Sequence, residues 1–164
     1  METKLNWKKG LFKNIYEIYS DDKKIGYLRD RSLSQSSDGE LNGEKYRFKT
    51  NGFFKQETLI FYSESDTHIA KIAYNSWMTK ARIEYSGTVY KWSLDNFWST
   101  KCSLKSPDGL KIEYTSSCSN GGIESDISNN LLILTGLFVK NYYLQMSVVL
   151  LLVVFIPLIT TFSS

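Results

Sequence analysis

Beyond Asp126 this chain carries a single charge, Lys140, and from Tyr142 to Phe162 it carries none, with nearly every side chain apolar. As a helix, that last stretch would run roughly 31 Å, close to the hydrocarbon thickness of a bilayer. Water does not tolerate such a segment bare, so the fold must bury it in protein or hand it to lipid. Everything before it has to be read with that demand in mind.

The body of the chain carries a different pattern. From Leu11 to about Asp126, short runs of alternating polarity are separated by turn clusters, as in an antiparallel sandwich or barrel. Lys80-Ala81-Arg82-Ile83-Glu84-Tyr85 alternates strictly, and so do Lys45-Tyr46-Arg47-Phe48-Lys49 and Leu110-Lys111-Ile112-Glu113-Tyr114. Alternation of this kind puts one face of each strand in a core and the other in water. Turns are expected at Ser20-Asp21-Asp22, Ser37-Asp38-Gly39, Asn51-Gly52, Ser63–Asp66, Ser86-Gly87, Pro107-Asp108-Gly109 and Asn120-Gly121-Gly122. About eleven or twelve strands fit between them. The high aromatic share, 15% of residues, favours the same half-buried strands. A faint internal repeat adds to this: Gly43-x-x-Tyr46-x-Phe48 followed by Phe53-Phe54, then Gly87-x-x-Tyr90-x-Trp92 followed by Phe97-Trp98. Two copies of one meander can close on each other and remove their exposed edges, which favours a barrel over a sandwich.

With a barrel in place the tail divides. Asn129 is a suitable cap for a helix beginning near Asn130. The run that follows, including Leu131, Leu132, Leu134, Leu137 and Phe138, is apolar on every face and must be enclosed all round. Gly136 would let barrel side chains approach closely. Residues 130–143 are therefore expected to fill the barrel, giving a domain over 1–143, and 144–162 to enter a bilayer, as one helix or two consecutive ones. Lys140-Asn141 marks the division, with the Lys140 ammonium reaching water at the mouth and Tyr142-Tyr143 placed as at a membrane interface. A single core helix over 130–162 would run roughly 50 Å, longer than a small barrel can sheathe.

An aromatic-rich antiparallel meander with an internal repeat and a hydrophobic C-terminal helix resembles the tubby C-terminal-like superfamily, which includes tubby proteins, phospholipid scramblases and the LURP-one-related plant proteins. The residues that carry the resemblance are the Gly43-x-x-Tyr46 and Gly87-x-x-Tyr90 units, Ala81-x-Ile83, Pro107-Asp108-Gly109, Gly122-Ile123 and Leu131–Leu137. It covers most of residues 11–143 and implies a twelve-stranded closed barrel around a central apolar helix. Tubby proteins bind phosphoinositide headgroups through a basic motif that has no match here, and the palmitoylated cysteine run and acidic calcium segment of scramblases are also missing.

Little in the chain points to catalysis. His68 is the one histidine, so neither a histidine pair for a metal nor support for a Ser-His-Asp arrangement with Asp66 is present; a turn residue is the plainer reading. Cys102 and Cys118 form no disulfide or metal-ligand pattern and read as core or strand thiols. No phosphate-binding glycine loop occurs, and no cofactor or metal is expected. With 20 basic residues against 17 acidic ones, the charge is too balanced to advertise nucleic acid. Lys8, Lys9 and Lys13, interleaved with Trp7 and Phe12, are candidates for lipid-headgroup contact. Lys45, Arg47 and Lys49 read as an ordinary solvated strand face. No apolar signal core follows Met1-Glu2-Thr3-Lys4, so the body is expected in the cytoplasm, on a single-pass C-terminal anchor.

The reading is thus a non-enzymatic, tubby-like barrel tethered to a membrane, whose expected partners are membrane lipid or protein. Its rivals are scramblase-like lipid transport and a hydrolase at the barrel mouth.

Overall fold

The computed structural model describes residues 2–10, 14–31, 36–51 and 56–162, apart from the side chains of Asp30, Arg31 and 157–162. Among the described residues, twelve strands precede one helix. They are β1 (Thr3–Lys9), β2 (Ile15–Ser20), β3 (Lys23–Arg31), β4 (Ser36–Leu41), β5 (Glu44–Asn51) and β6 (Glu57–Tyr62). Then come β7 (His68–Tyr74), β8 (Lys80–Tyr85), β9 (Thr88–Leu94), β10 (Lys101–Lys105), β11 (Lys111–Thr115), β12 (Asn120–Ser125) and α1 (Asn130–Phe162). Each strand pairs antiparallel with its sequence neighbours, and β1 pairs with β12, so the sheet closes into a barrel. Closure leaves no strand edge unpaired, which a meander this rich in β-formers needs in order to stay monodisperse.

Local chemistry sets the turns. The β2–β3, β4–β5 and β8–β9 hairpins each have two consecutive residues at positive φ: Asp21-Asp22, Asn42-Gly43 and Ser86-Gly87. This backbone matches the twist of the flanking strands, and Asn, Asp and Gly reach it at least cost. Gly43 and Gly87 therefore occupy equivalent turns, and Tyr46 and Phe48 on β5 correspond to Tyr90 and Trp92 on β9. Of these four, Tyr46, Phe48 and Trp92 are buried and Tyr90 packs partly buried against the core.

The barrel's bore is filled by the front of α1. Asn129 caps it, its Oδ1 accepting the Leu132 N–H at 3.0 Å. Leu131, Leu132, Leu134, Leu137 and Phe138 are all buried, and Phe138 stacks on Phe48 with ring centroids 4.5 Å apart. Tyr114 donates to the carbonyls of Leu132 (3.2 Å) and Ile133 (3.0 Å), and Trp92 Nε1 donates to the Gly136 carbonyl at 3.1 Å. A Cβ at Gly136 would overlap the Tyr114 phenol, so the glycine sets how near this wall can come. On the other side Gly39 approaches Leu134, a Cβ there lying 3.5 Å from its Cδ1.

Several sequence expectations need correction. The tail is one continuous helix whose burial ends after Tyr143, so Lys140-Asn141, expected to mark the division, lies within the enclosed part. Ser37-Asp38-Gly39 and Asn120-Gly121-Gly122 lie in β4 and β12 instead of turns. Both are places where a neighbour crowds the strand: a Cβ at Gly39 would lie 3.3 Å from Leu28 Cδ1 and the Tyr27 carbonyl, and one at Gly121 would overlap the indole of its register partner Trp7. Cys102 is a buried strand thiol as expected, but Cys118 is exposed in the β11–β12 connection. His68 opens β7 rather than sitting in a turn.

Candidate membrane-facing site

An antiparallel up-and-down barrel places alternate connections at opposite ends. Asn130 hydrogen-bonds to Asn42 and Glu44, so α1 begins at the end carrying the β4–β5 turn. It leaves at the other end, where β1, β3, β5, β7, β9 and β11 finish and the β7–β8, β9–β10 and β11–β12 connections lie. That exit is tightly made. The Tyr143 hydroxyl accepts the Asn75 N–H (3.2 Å) and donates to the Lys80 carbonyl, which fixes the helix to both ends of the β7–β8 loop. Tyr142 stacks on Tyr74 at 4.2 Å, and Tyr16 donates to Asn141 Oδ1 at 2.7 Å.

This collar corrects three expectations about the mouth. Tyr143 is buried and Tyr142 half-buried, so the tyrosine pair seals the barrel instead of facing lipid headgroups. Lys140 is only 9% exposed, its ammonium 5.0 Å from the centre of the Trp7 ring rather than out in water. The indole face supplies partial compensation for lost hydration, yet burial still lowers the lysine pKa below its ordinary value. Trp7 is itself core, so it is absent from the basic-aromatic cluster expected at the N-terminus.

Of the predicted headgroup residues, Lys8 and Lys9 are adjacent on a strand and therefore point to opposite faces. Lys8 lies outside, over the Tyr19 ring at 5.2 Å, whereas Lys9 lies at the mouth, 4.8 Å above Tyr16. Both finish β1 at the helix-exit end. Lys13, Phe12 and Phe53-Phe54 lie outside the described residues. Asp66 approaches Arg47 at 3.6 Å and not His68.

Two features of this region escaped the sequence reading. Asn75-Ser76-Trp77-Met78-Thr79-Lys80 and Asn96-Phe97-Trp98-Ser99-Thr100-Lys101 share the pattern Asn-x-Trp-x-Thr-Lys and fold alike. In each, the Asn Oδ1 accepts two backbone N–H groups: those of Thr79 (3.0 Å) and Lys80 (2.9 Å), and those of Thr100 (3.0 Å) and Lys101 (3.1 Å). Its amide also donates to the Thr hydroxyl, at 3.2 Å and 2.6 Å respectively. The residue after each tryptophan has positive φ, +55° at Met78 and +56° at Ser99. Two pinned loops thus hold Trp77 (83% exposed) and Trp98 (80%) out into the surroundings, with Phe97 (92%) beside the latter. The repeated motif was the available signal.

The second feature had no signal in the linear sequence. Register places Arg82 opposite Lys91, Lys91 opposite Lys105, and Lys105 opposite Lys111, a row of four exposed cations across β8–β11. Arg82 and Lys111 have carboxylate neighbours, Glu84 at 3.3 Å and Glu113 at 2.9 Å, while Lys91 and Lys105 make no ion pair among the described residues. Like charges directly opposite one another on a sheet repel, and an anion against this wall would relieve that repulsion. A groove of about 980 Å³ lies there, lined by Lys80, Arg82, Lys91, Lys105, Val89 and Pro107 among others.

Beyond the collar, every side chain from Val148 to Ile156 is exposed, and all nine are apolar. By length and composition α1 can cross a membrane. No protein-family model matches the chain, and neither curated proteins nor solved structures gave a match.

Proposed function

We propose that this protein is a tubby-like barrel without enzymatic activity, tethered to a bilayer by residues 144–162 with its body in the cytoplasm, where it engages membrane lipid or a membrane-bound protein. The observation that carries the reading is the division of one helix. The barrel grips α1 as far as Tyr143 through buried side chains and hydrogen bonds, then leaves Val148 to Ile156 exposed on every face of the helix, within an apolar stretch, 144–162, of roughly 28 Å. A soluble monomer does not expose an apolar surface of that size, and its length suits the hydrocarbon layer. The closed twelve-stranded barrel around an apolar helix is the architecture that the tubby resemblance implies, and this supports the family assignment. The cationic row gives the tethered body an affinity for anionic headgroups or acidic protein surfaces, each basic group near such a surface contributing about 1 kcal/mol.

Removing residues 144–164 tests the tether directly. The truncated chain is expected to be a soluble monomer with an intact near-ultraviolet circular dichroism spectrum, while the full chain stays in membranes after alkaline carbonate washing. A truncated chain that unfolds and aggregates would show that the tail belongs to the core.

A further inference from the structure

We infer that the helix-exit end of the barrel is itself a lipid-contacting face, which stands on the bilayer with the indoles of Trp77 and Trp98 and the Phe97 ring sunk at the headgroup boundary around the emerging helix. This rests on the tether reading and adds the orientation of the body.

Four observations converge on it. First, Trp77, Phe97 and Trp98 are the most exposed large apolar side chains among the described residues. Second, they are not loose: duplicate asparagine-bracketed loops, each with a positive-φ residue, hold them outward in the same way. In the first loop the positive-φ residue Met78 packs back against the core and anchors the turn from which Trp77 projects. Third, the two loops sit side by side, Leu94 N–H donating to the Thr79 carbonyl at 3.0 Å, and the β7–β8 loop is the one bonded to Tyr143 where the helix leaves. The aromatic tips therefore stand at the depth where the exposed apolar helix begins. Fourth, each motif ends in an outward lysine, Lys80 and Lys101, which makes no ion pair among the described residues. A flat amphipathic indole with a neighbouring cation is the combination that favours the polar-apolar boundary of a membrane, where the ring meets acyl chains and the ammonium meets phosphate.

A bilayer is the occupant that this geometry selects. A helix that enters lipid at this end brings the tips to the lipid surface without a further partner, and no other end of the barrel carries such residues among those described.

Tryptophan fluorescence of the full chain in phosphatidylcholine–phosphatidylserine vesicles tests the inference, because Trp7 and Trp92 are buried and Trp77 and Trp98 are not. In vesicles made with acyl-brominated lipid, emission should be shifted to shorter wavelength and quenched. The double variant W77F/W98F, which keeps apolar tips but removes the outer indoles, should lose most of that quenching. Carbonate washing of the same vesicles reports on the tether independently. A washed-resistant chain whose outer indoles remain open to aqueous acrylamide and blind to brominated lipid overturns the end-on face alone, and would leave those tips to a protein partner. A chain stripped off by the wash overturns both readings.

Discussion

Gly136 decides how α1 fits its barrel. Its missing side chain leaves room for the Tyr114 ring, whose hydroxyl bonds to the carbonyls of Leu132 and Ile133. In Gly136→Ala, whatever the alanine gains in helix propensity is outweighed by overpacking, which costs about 1–3 kcal/mol. Denaturant unfolding of the tail-deleted chain should show the loss, and an unchanged midpoint would mean that Tyr114 moves aside freely. The two cysteines make a contrasting pair. Burial raises the Cys102 pKa from 9.0 to about 12, whereas Cys118 is exposed. A thiol reagent should therefore modify one cysteine in the native chain and both in denaturant. Because the native thiol resists ionisation that the unfolded one accepts, Cys102 contributes stability below pH 9 that is lost as the pH rises through about 12. Single residues were only partly legible beforehand. Gly136 was recognised as a point of close approach, but Gly39 and Gly121 read as turn formers, because a glycine chosen for a distant neighbour looks the same in sequence as one chosen for its own φ.

At the scale of elements, α1 is one helix in two solvents. Its front is stabilised by shape, through stacked rings and carbonyls taken by Tyr114 and Trp92, while Val148 to Ile156 at its back are exposed and under the proposed tether lie in lipid. Val153 lies near the middle of the 144–162 stretch and is 62% exposed. In Val153→Arg a charge at that depth costs about 2.5–3.5 kcal/mol on insertion scales. Membrane retention after carbonate washing should fall while the barrel's near-ultraviolet circular dichroism stays unchanged; retention equal to the native chain would count against a spanning segment. The start of the helix was readable from Asn129 and the apolar run after it. Lys140 was expected at the mouth in water, since charge usually marks a boundary, and instead it lies buried with its ammonium over the Trp7 ring.

For the whole molecule, closure is the decisive property. β1 bridges β12 and β2 and also brings Trp7 over both Gly121 and Lys140. Deleting residues 3–9 would open two strand edges and uncover the bore, so self-association in light scattering is expected. A monomer with an unchanged spectrum would show that closure is dispensable. The antiparallel meander also sets the β7–β8 and β9–β10 loops side by side at the exit end, where their tips make one aromatic rim.

The sequence by itself determined the kind of object this is: strands wet on one side, hairpin turns at Asp21-Asp22 and Ser86-Gly87, a capped helix start, and a tail that water rejects. These are properties of neighbouring residues, written in alternation, turn chemistry and hydropathy. The tertiary structure alone decided the row Arg82–Lys91–Lys105–Lys111, the shared end of Trp77 and Trp98, and the burial of Lys140 against the Trp7 ring. Those depend on strand register and on which ends meet when the sheet closes, and both are fixed by contacts between residues far apart in the chain.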